Sequence, residues 1–281
     1  MRAHSQRRLL GLKAFLGRMG VYHRLRSSLL TDFYWRLTDP KRMELMEKET
    51  AFYRSLLAGY RRGYLVFDVG ANVGEKIDVF LNMGAHVVAV EPDAACQKIL
   101  AEKYHRFRFT PKPVKIIAKA VSDKEAIETM WVDSEGSALN TLNPKWVGIL
   151  RDHKSRFAQG QDKQEFRQHR EVETTTLDQL IAAHGTPFFV KIDVEGHEQT
   201  ALRGLHHPVP YLSFEVNLPE FRPEALECVR ILTDLQHTGK FNYSSDCLRG
   251  LNLREWVGPE EFSEALESMP EPSIEVFWKT V

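Results

Sequence analysis

The chain has 281 residues, of which 43% are hydrophobic and 27% charged, with 38 basic and 38 acidic side chains. This is the composition of a globular protein with room for one large core and little room for two. Zero net charge argues against bulk attraction to nucleic acid, and three scattered cysteines (Cys96, Cys228, Cys247) without a CxxC argue against a disulfide framework or a zinc site and for a reducing, cytoplasmic setting.

The charge is unevenly placed. Residues 1–30 hold seven of the basic residues and no acid, which leaves the remainder with seven more acids than bases. Leu9, Leu12, Leu16, Met19 and Leu29 recur near helical spacing there, with a weak point at Gly17 and Gly20. Two readings of this basic amphipathic helix stay open: contact with an anionic membrane surface or a partner, or packing on its own domain. No run of about 18 apolar residues occurs, so no spanning helix is expected. The first residues also lack the apolar core of a signal peptide. Residues 41–58 form a second predicted helix, with Leu45, Phe52, Leu56 and Leu57 as apolar members and Gly59 and Gly63 suited to its end. Residues 1–62 are expected to be a helical extension of a domain spanning 63–281.

From Tyr64 onward short apolar runs alternate with helical patterns. The runs are Leu65–Val69, His86–Val90, Val114–Ala120, Phe188–Ile192 and Leu212–Val216. They are continuous, as expected of strands buried on both faces. Helical patterns cover about 75–83, 93–104, 197–204 and 223–238. This alternation predicts a doubly wound α/β fold with a mostly parallel sheet. Segment 126–132 is expected to pair with 171–176, and Ile274–Val281 to form a last strand. Residues 143–170, rich in Lys, Arg and Gln, read either as a solvated surface helix or as a lid over a substrate.

The first run leads straight into Gly70-Ala71-Asn72-Val73-Gly74, and a helix follows. A strand, a glycine turn and a helix bring backbone amides close to a ligand. Gly70 and Gly74 are expected to permit that approach, and Asn72 to tolerate left-handed backbone. A dinucleotide fingerprint starting at Gly70 needs glycines at 72 and 75, where the chain has Asn72 and Glu75. A P-loop needs Gly-Lys-Ser/Thr, which is absent. S-adenosylmethionine carries cationic sulfonium and ammonium groups and no phosphate, so Asp68 and Glu75 suit it. Glu91 ends the second run 21 residues after Gly70, the offset at which an acid accepts ribose hydroxyls.

The run at Phe188 stops at Asp193, followed by Val194-Glu195-Gly196-His197-Glu198. Ligands of open α/β sheets bind beyond the carboxyl ends of strands, so Asp193, Glu195 and His197 are candidates to face the reacting group. Asp193 suits a cofactor ammonium or a substrate hydroxyl, and Glu195 or His197 suits proton removal. Structural alternatives remain: Glu195 as a cap of the next helix, and His197 as a surface residue. Glu215 ends the following strand beside the same crevice, as a further acid or as a structural group. The Asp/Asn-Pro-Pro-aromatic sequence of many nucleobase methyltransferases is replaced here by Asp-Val-Glu-Gly, and no metal-ligand spacing accompanies the site.

The order DVGANVG, VEPD, TTTLDQL and KIDVEGHE resembles the FkbM family of methyltransferases over roughly residues 52–218. The resemblance implies a Rossmann-like class I methyltransferase fold with an antiparallel C-terminal strand, S-adenosylmethionine as cofactor, and O-methylation of sugar or natural-product hydroxyls. By motif it gives cofactor roles to Asp68, Gly70, Asn72, Gly74 and Glu91, and acidic site positions to Asp193 and Glu195; Ala71 and Asp193 are further candidates for cofactor binding. Gly136–Asn140 resembles a small-residue loop near the pocket. The expected reaction is in-line attack of an acceptor hydroxyl on the sulfonium methyl, in which alignment matters most because the methyl is already activated. The expected acceptor is a glycan or small molecule, with a sugar of a polysaccharide or glycolipid foremost. A polyketide, lipid or protein side chain, and a non-catalytic binding module, are the rival readings.

Overall fold

A computed structural model describes residues 40–104, 113–152, 156, 166 and 168–280. The predicted helix within residues 6–30 and the final Val281 lie outside these, as does most of 153–167.

The order of elements is α1 (Pro40–Leu56), β1 (Leu65–Val69), α2 (Glu75–Met83), β2 (His86–Val90), α3 (Ala94–Lys103), β3 (Val114–Ile117), β4 (Ala120–Val121), β5 (Ile127–Val132), α4 (Pro144–Arg151), β6 (Gln168–Thr175), α5 (Leu177–His184), β7 (Phe189–Ile192), α6 (Glu198–Arg203), β8 (Tyr211–Asn217), α7 (Arg222–Leu235), β9 (Lys240–Ser244), α8 (Pro259–Ser268) and β10 (Ser273–Lys279). Seven strands form one sheet in the order β3-β2-β1-β7-β8-β10-β9. β1, β2, β3, β7 and β8 pair parallel, whereas β10 runs antiparallel to both β8 and β9. This is a doubly wound, Rossmann-like α/β architecture with an antiparallel C-terminal strand. The strand order reverses between β1 and β7, the point at which such sheets open a crevice for ligands.

Helices cover both faces of the sheet. On one face Val69, Val190, Ile192, Phe214 and Trp278 pack against Trp146, Leu180, Leu202 and Val229. On the other, Val66, Ala89, Phe189 and Phe277 meet Tyr53 and Leu57 from the α1 region and Ile77 and Phe80 from α2. Tyr53 is wholly buried and makes edge contacts with Phe80 and Phe277. Burying such a side chain contributes about 1.5–3 kcal/mol, so the described helix of the N-terminal segment is part of this core. α2 begins with Glu75 and Asp78 in its first turn, where acids suit the helix dipole. It ends at Gly84, whose left-handed backbone lets its amide reach the carbonyls of Phe80 and Leu81.

β5 and β6 pair antiparallel in a separate small sheet, as their sequences led one to expect. The predicted single strand Val114–Ala120 is divided. β3 pairs with β2, whose ladder ends with the Glu91 amide on the Ile117 carbonyl, and the chain then leaves that sheet so that β4 pairs with β6. An apolar run records burial but not the change of partner. β9, α5 and α8 were not anticipated. The start of α5 was nevertheless legible, since Thr176 and Gln179 form a reciprocal capping box. In 143–170, α4 is neither solvated nor free of the core: Trp146, Val147 and Leu150 are buried. No described helix is long and apolar enough to cross a membrane, and all three cysteines are free thiols.

Candidate active site

A crevice opens beyond the carboxyl ends of β1, β2 and β7. Gly70, Asn72, Glu91, Asp193, Glu195 and His197 share its wall. Three separate stretches of sequence, 70–72, 91 and 193–197, thus converge. Asp68, Ala71 and Gly74 are set back from that wall.

The turn after β1 differs from expectation in one respect. Its amides do not point at a ligand. Those of Gly70 and Ala71 donate to the Val90 carbonyl at 3.0 and 3.1 Å, and that of Gly74 to Ala71 at 2.8 Å. The Asn72 amide donates to Glu91 Oε2, and the Val73 amide to Asn72 Oδ1, both at 2.7 Å. All five are already engaged. The two glycines also answer to the protein rather than to a ligand. A Cβ on Gly70 would lie 1.7 Å from the Asp193 carbonyl oxygen, and one on Gly74 would lie 2.6 Å from the Tyr104 hydroxyl. Both have left-handed backbone, as does Asn72 at φ 43°.

Glu91 is 6% exposed and receives the amides of Asn72 and Asp93, the latter at 2.8 Å. Burial pushes its carboxyl up to about 7, against the lowering effect of those two amides. Each oxygen keeps an acceptor site for a further donor. Its neighbour Asp93, a residue the sequence analysis left without a role, has two. One oxygen caps α3 through the amides of Ala95 and Cys96. The other accepts from Asn140 Nδ2 at 2.8 Å and the Gly136 amide at 3.3 Å. It thereby holds the 136–140 loop over the crevice, where Ser137, Ala138 and Asn140 form wall.

The turn after β7 is held from three sides. Thr141 Oγ1 donates to the Glu195 carbonyl at 2.8 Å, Asn143 Nδ2 donates to the Gly196 carbonyl, and Glu198 Oε1 receives the amides of Val194 and Gly196. Glu198, not Glu195, therefore satisfies the backbone ahead of α6. Glu195 sits at φ 54° and Gly196 at φ 88°, where a Cβ on the glycine would lie 2.7 Å from the Phe221 ring. A residue held in left-handed backbone without being glycine is a mark of a constrained site.

The proton inventory follows from surroundings. Burial, helped by Asp193 and Glu198, pushes Glu195 up to about 8, against a hydrogen bond with Trp146. Burial lowers His197, whose Nε2 is enclosed without a hydrogen-bond partner, so the ring is neutral near pH 7 and His197 is no surface residue. Burial also works against charge on Asp193, but the Lys191 ammonium at 2.6 Å and a hydrogen bond from Glu215 outweigh it and keep the carboxyl below its usual range. Glu215 is pushed up to about 9 by burial and by Asp193. Asp68 is buried, is raised to about 6 mainly by burial, and leaves Oδ2 without a partner. Among the described residues, no group of three or more His, Cys, Asp or Glu is arranged to hold a metal ion.

Residues 68–236, more than half the chain, match the methyltransferase FkbM domain. The chain belongs to the FkbM methyltransferase family. It is thus a methyltransferase, and the matched stretch contains every crevice residue named above. No curated protein matches it. Among solved structures it is similar to a TehB-like S-adenosylmethionine-dependent methyltransferase from Corynebacterium glutamicum (8% identity, TM-score 0.42, covering 83% of this chain and 88% of that one). It is also similar to a precorrin-6y C5,15-methyltransferase from Geobacter metallireducens (8%, 0.39, 85% and 87%). A third is the plantazolicin methyltransferase BpumL, determined in complex with a monoazolic desmethylPZN analog and S-adenosylhomocysteine (7%, 0.39, 95% and 98%).

Proposed function

We propose that this FkbM methyltransferase transfers a methyl group from S-adenosylmethionine to a hydroxyl of a sugar, in a polysaccharide, glycolipid or related metabolite. One observation carries the cofactor half of the reading. The turn after β1 has no amide left for a phosphate, while the Asp193 carboxylate brings negative charge and Glu91 brings acceptor oxygens to the same crevice. Such a wall disfavours a dinucleotide and suits a phosphate-free cation that carries ribose hydroxyls.

In this reading Glu91 holds the ribose hydroxyls, Gly70–Asn72 form the wall beside them, and Asp193 lies toward the reacting end. S-adenosylmethionine supplies a methyl group already activated by its sulfonium. The chain then has to align the acceptor, exclude water and take up one proton. Asp193, ionised, and His197, neutral, are the two proton acceptors in the crevice; Glu195, protonated near neutral pH, is a donor. The acceptor class rests on the family resemblance. The basic residues 1–30 suit contact with a membrane surface where glycolipids are assembled, and liposome co-sedimentation with and without them tests that part; equal binding ends it.

Calorimetric titration of the whole chain with S-adenosylhomocysteine tests the cofactor assignment. Glu91→Gln removes a charged acceptor of two hydroxyls, and hydrogen bonds to charged groups contribute about 1.5–3 kcal/mol each. The expected result is binding by the native chain and at least about tenfold weaker binding by the variant. No binding by the native chain overturns the reading.

A further inference from the structure

We propose that the methyl acceptor binds in a second cavity, reached from the opposite side of Asp193, and that this cavity is built for a neutral group bearing several hydroxyls. The proposal rests on the methyltransferase reading of the crevice and adds to it where the acceptor sits and what it looks like.

The second cavity lies on the sheet face covered by α1 and α2, at the carboxyl ends of β7, β8 and β9 and the start of β10. Its wall includes Lys76, Lys191, Asp193, Glu215, Ser244 and Glu275, and Asp193 is the one residue it shares with the crevice. The sheet register explains the cluster. Glu275 of β10 stands opposite Glu215 of β8 on one side and Ser244 of β9 on the other. Lys191 of β7 stands between Asp68 of β1 and Ser213 of β8. The strand face that is apolar at Phe189 and Phe277 turns polar toward the ends of β7 and β8 and the start of β10.

The side chains are held in place rather than loose. Lys191 is 3% exposed and reaches Asp193 Oδ2. Glu275 receives Ser213 Oγ at 2.6 Å and the hydroxyl of Tyr53 at 3.2 Å. Ser273 Oγ reaches Glu215 Oε1 at 3.1 Å. Lys76 pairs with Glu49.

The chemistry of this wall selects against charge of either sign. An anion entering the cavity meets Asp193 and Glu275; a cation meets Lys76 and Lys191. Ile274 and Cys247 are the least polar of its side chains, and no aromatic ring lines the space, so a flat apolar group finds no ring to stack on. A hydroxyl satisfies both kinds of wall, since it accepts from an ammonium and donates to a carboxylate.

The position fits the reaction. In-line displacement requires the attacking oxygen and the departing sulfur on opposite sides of the carbon, and the two cavities meet at Asp193 from two sides. The hydroxyl oxygen forms the new bond to the methyl carbon as the carbon–sulfur bond breaks and its electron pair stays on sulfur, cancelling the positive charge. The hydroxyl proton passes to the Asp193 carboxylate, which ends neutral. Glu215, protonated and hydrogen-bonded to Asp193, steadies the carboxylate before it takes that proton.

Ser245 is exposed at the rim, so Ser245→Trp blocks the cavity without disturbing the core. Asp246→Trp from the same rim is an independent second block. The test is saturation-transfer NMR on the full chain loaded with S-adenosylhomocysteine, using millimolar methyl glucoside, methyl mannoside and methyl rhamnoside as neutral probes, and glucose 6-phosphate and choline as charged ones. The expected result is transfer to at least one neutral glycoside, at least fivefold weaker in both Trp variants, with S-adenosylhomocysteine affinity unchanged within twofold by calorimetry. No transfer to any glycoside, transfer that survives both blocks, or preference for a charged probe overturns the proposal while leaving the crevice reading intact. Failure of S-adenosylhomocysteine to bind the native chain sinks the crevice reading, and this one with it.

Discussion

The two faces of β7 differ sharply. Val190 and Ile192 point to one side and are fully buried among apolar side chains. Phe189, Lys191 and then Asp193 follow one another on the other side, so that face begins in the core and ends in an ion pair. A continuous apolar face serves only to hold the sheet together. The mixed face costs stability through its buried ammonium, and it delivers Asp193 to the meeting point of two cavities. The lesson is that function here occupies the carboxyl end of one strand face, with the opposite face left to packing.

The largest expected effect comes from breaking the mixed face. Asp193→Ala leaves the Lys191 ammonium buried without its nearest partner, which should cost about 3 kcal/mol in urea denaturation. The double variant with Lys191→Met should recover most of that loss while remaining inactive. Recovery of activity together with stability would show that the pair is merely structural. Next comes pH. Asp68, Glu91, Glu195, Glu198 and Glu215 are all raised, to between about 6 and about 9, chiefly by burial. A raised carboxyl keeps its proton in the folded chain after the unfolded chain has lost it, so stability falls as pH rises from the ordinary carboxyl range through the folded values. His197, which is lowered, acts in the opposite sense only below about 6.5. The ligand-free chain should therefore melt several degrees lower at pH 9 than at pH 6.5 by calorimetry; a flat or rising profile would contradict the burial of this cluster. The smallest effect belongs to the packing face. Ile192→Val should cost about 0.5–1.5 kcal/mol and leave S-adenosylhomocysteine binding unchanged.

Much of this arrangement is legible in the sequence. β1 and β2 fall where their apolar runs fall, because strands buried on both faces leave an unbroken signature. The crevice residues Gly70, Asn72, Glu91 and Asp193 could be read because they end strands, and strand ends in such sheets face ligands. What was hidden depends on pairing across the chain. The amides of the β1 turn are engaged by Val90 and Glu91, which no local pattern announces. Asp93 caps α3 locally, but its second task on Asn140 crosses to a loop forty-seven residues away. The cavity beyond Asp193 draws on Lys76, Glu275 and the end of β9, a strand too polar to stand out in the sequence.

The most direct test is a crystal structure of the chain grown with S-adenosylhomocysteine. The account predicts the ligand in the crevice after β1, with its ribose hydroxyls on the Glu91 carboxylate and its sulfur directed toward Asp193. A ligand seated in the cavity beyond Asp193, or one whose ribose avoids Glu91, would contradict it.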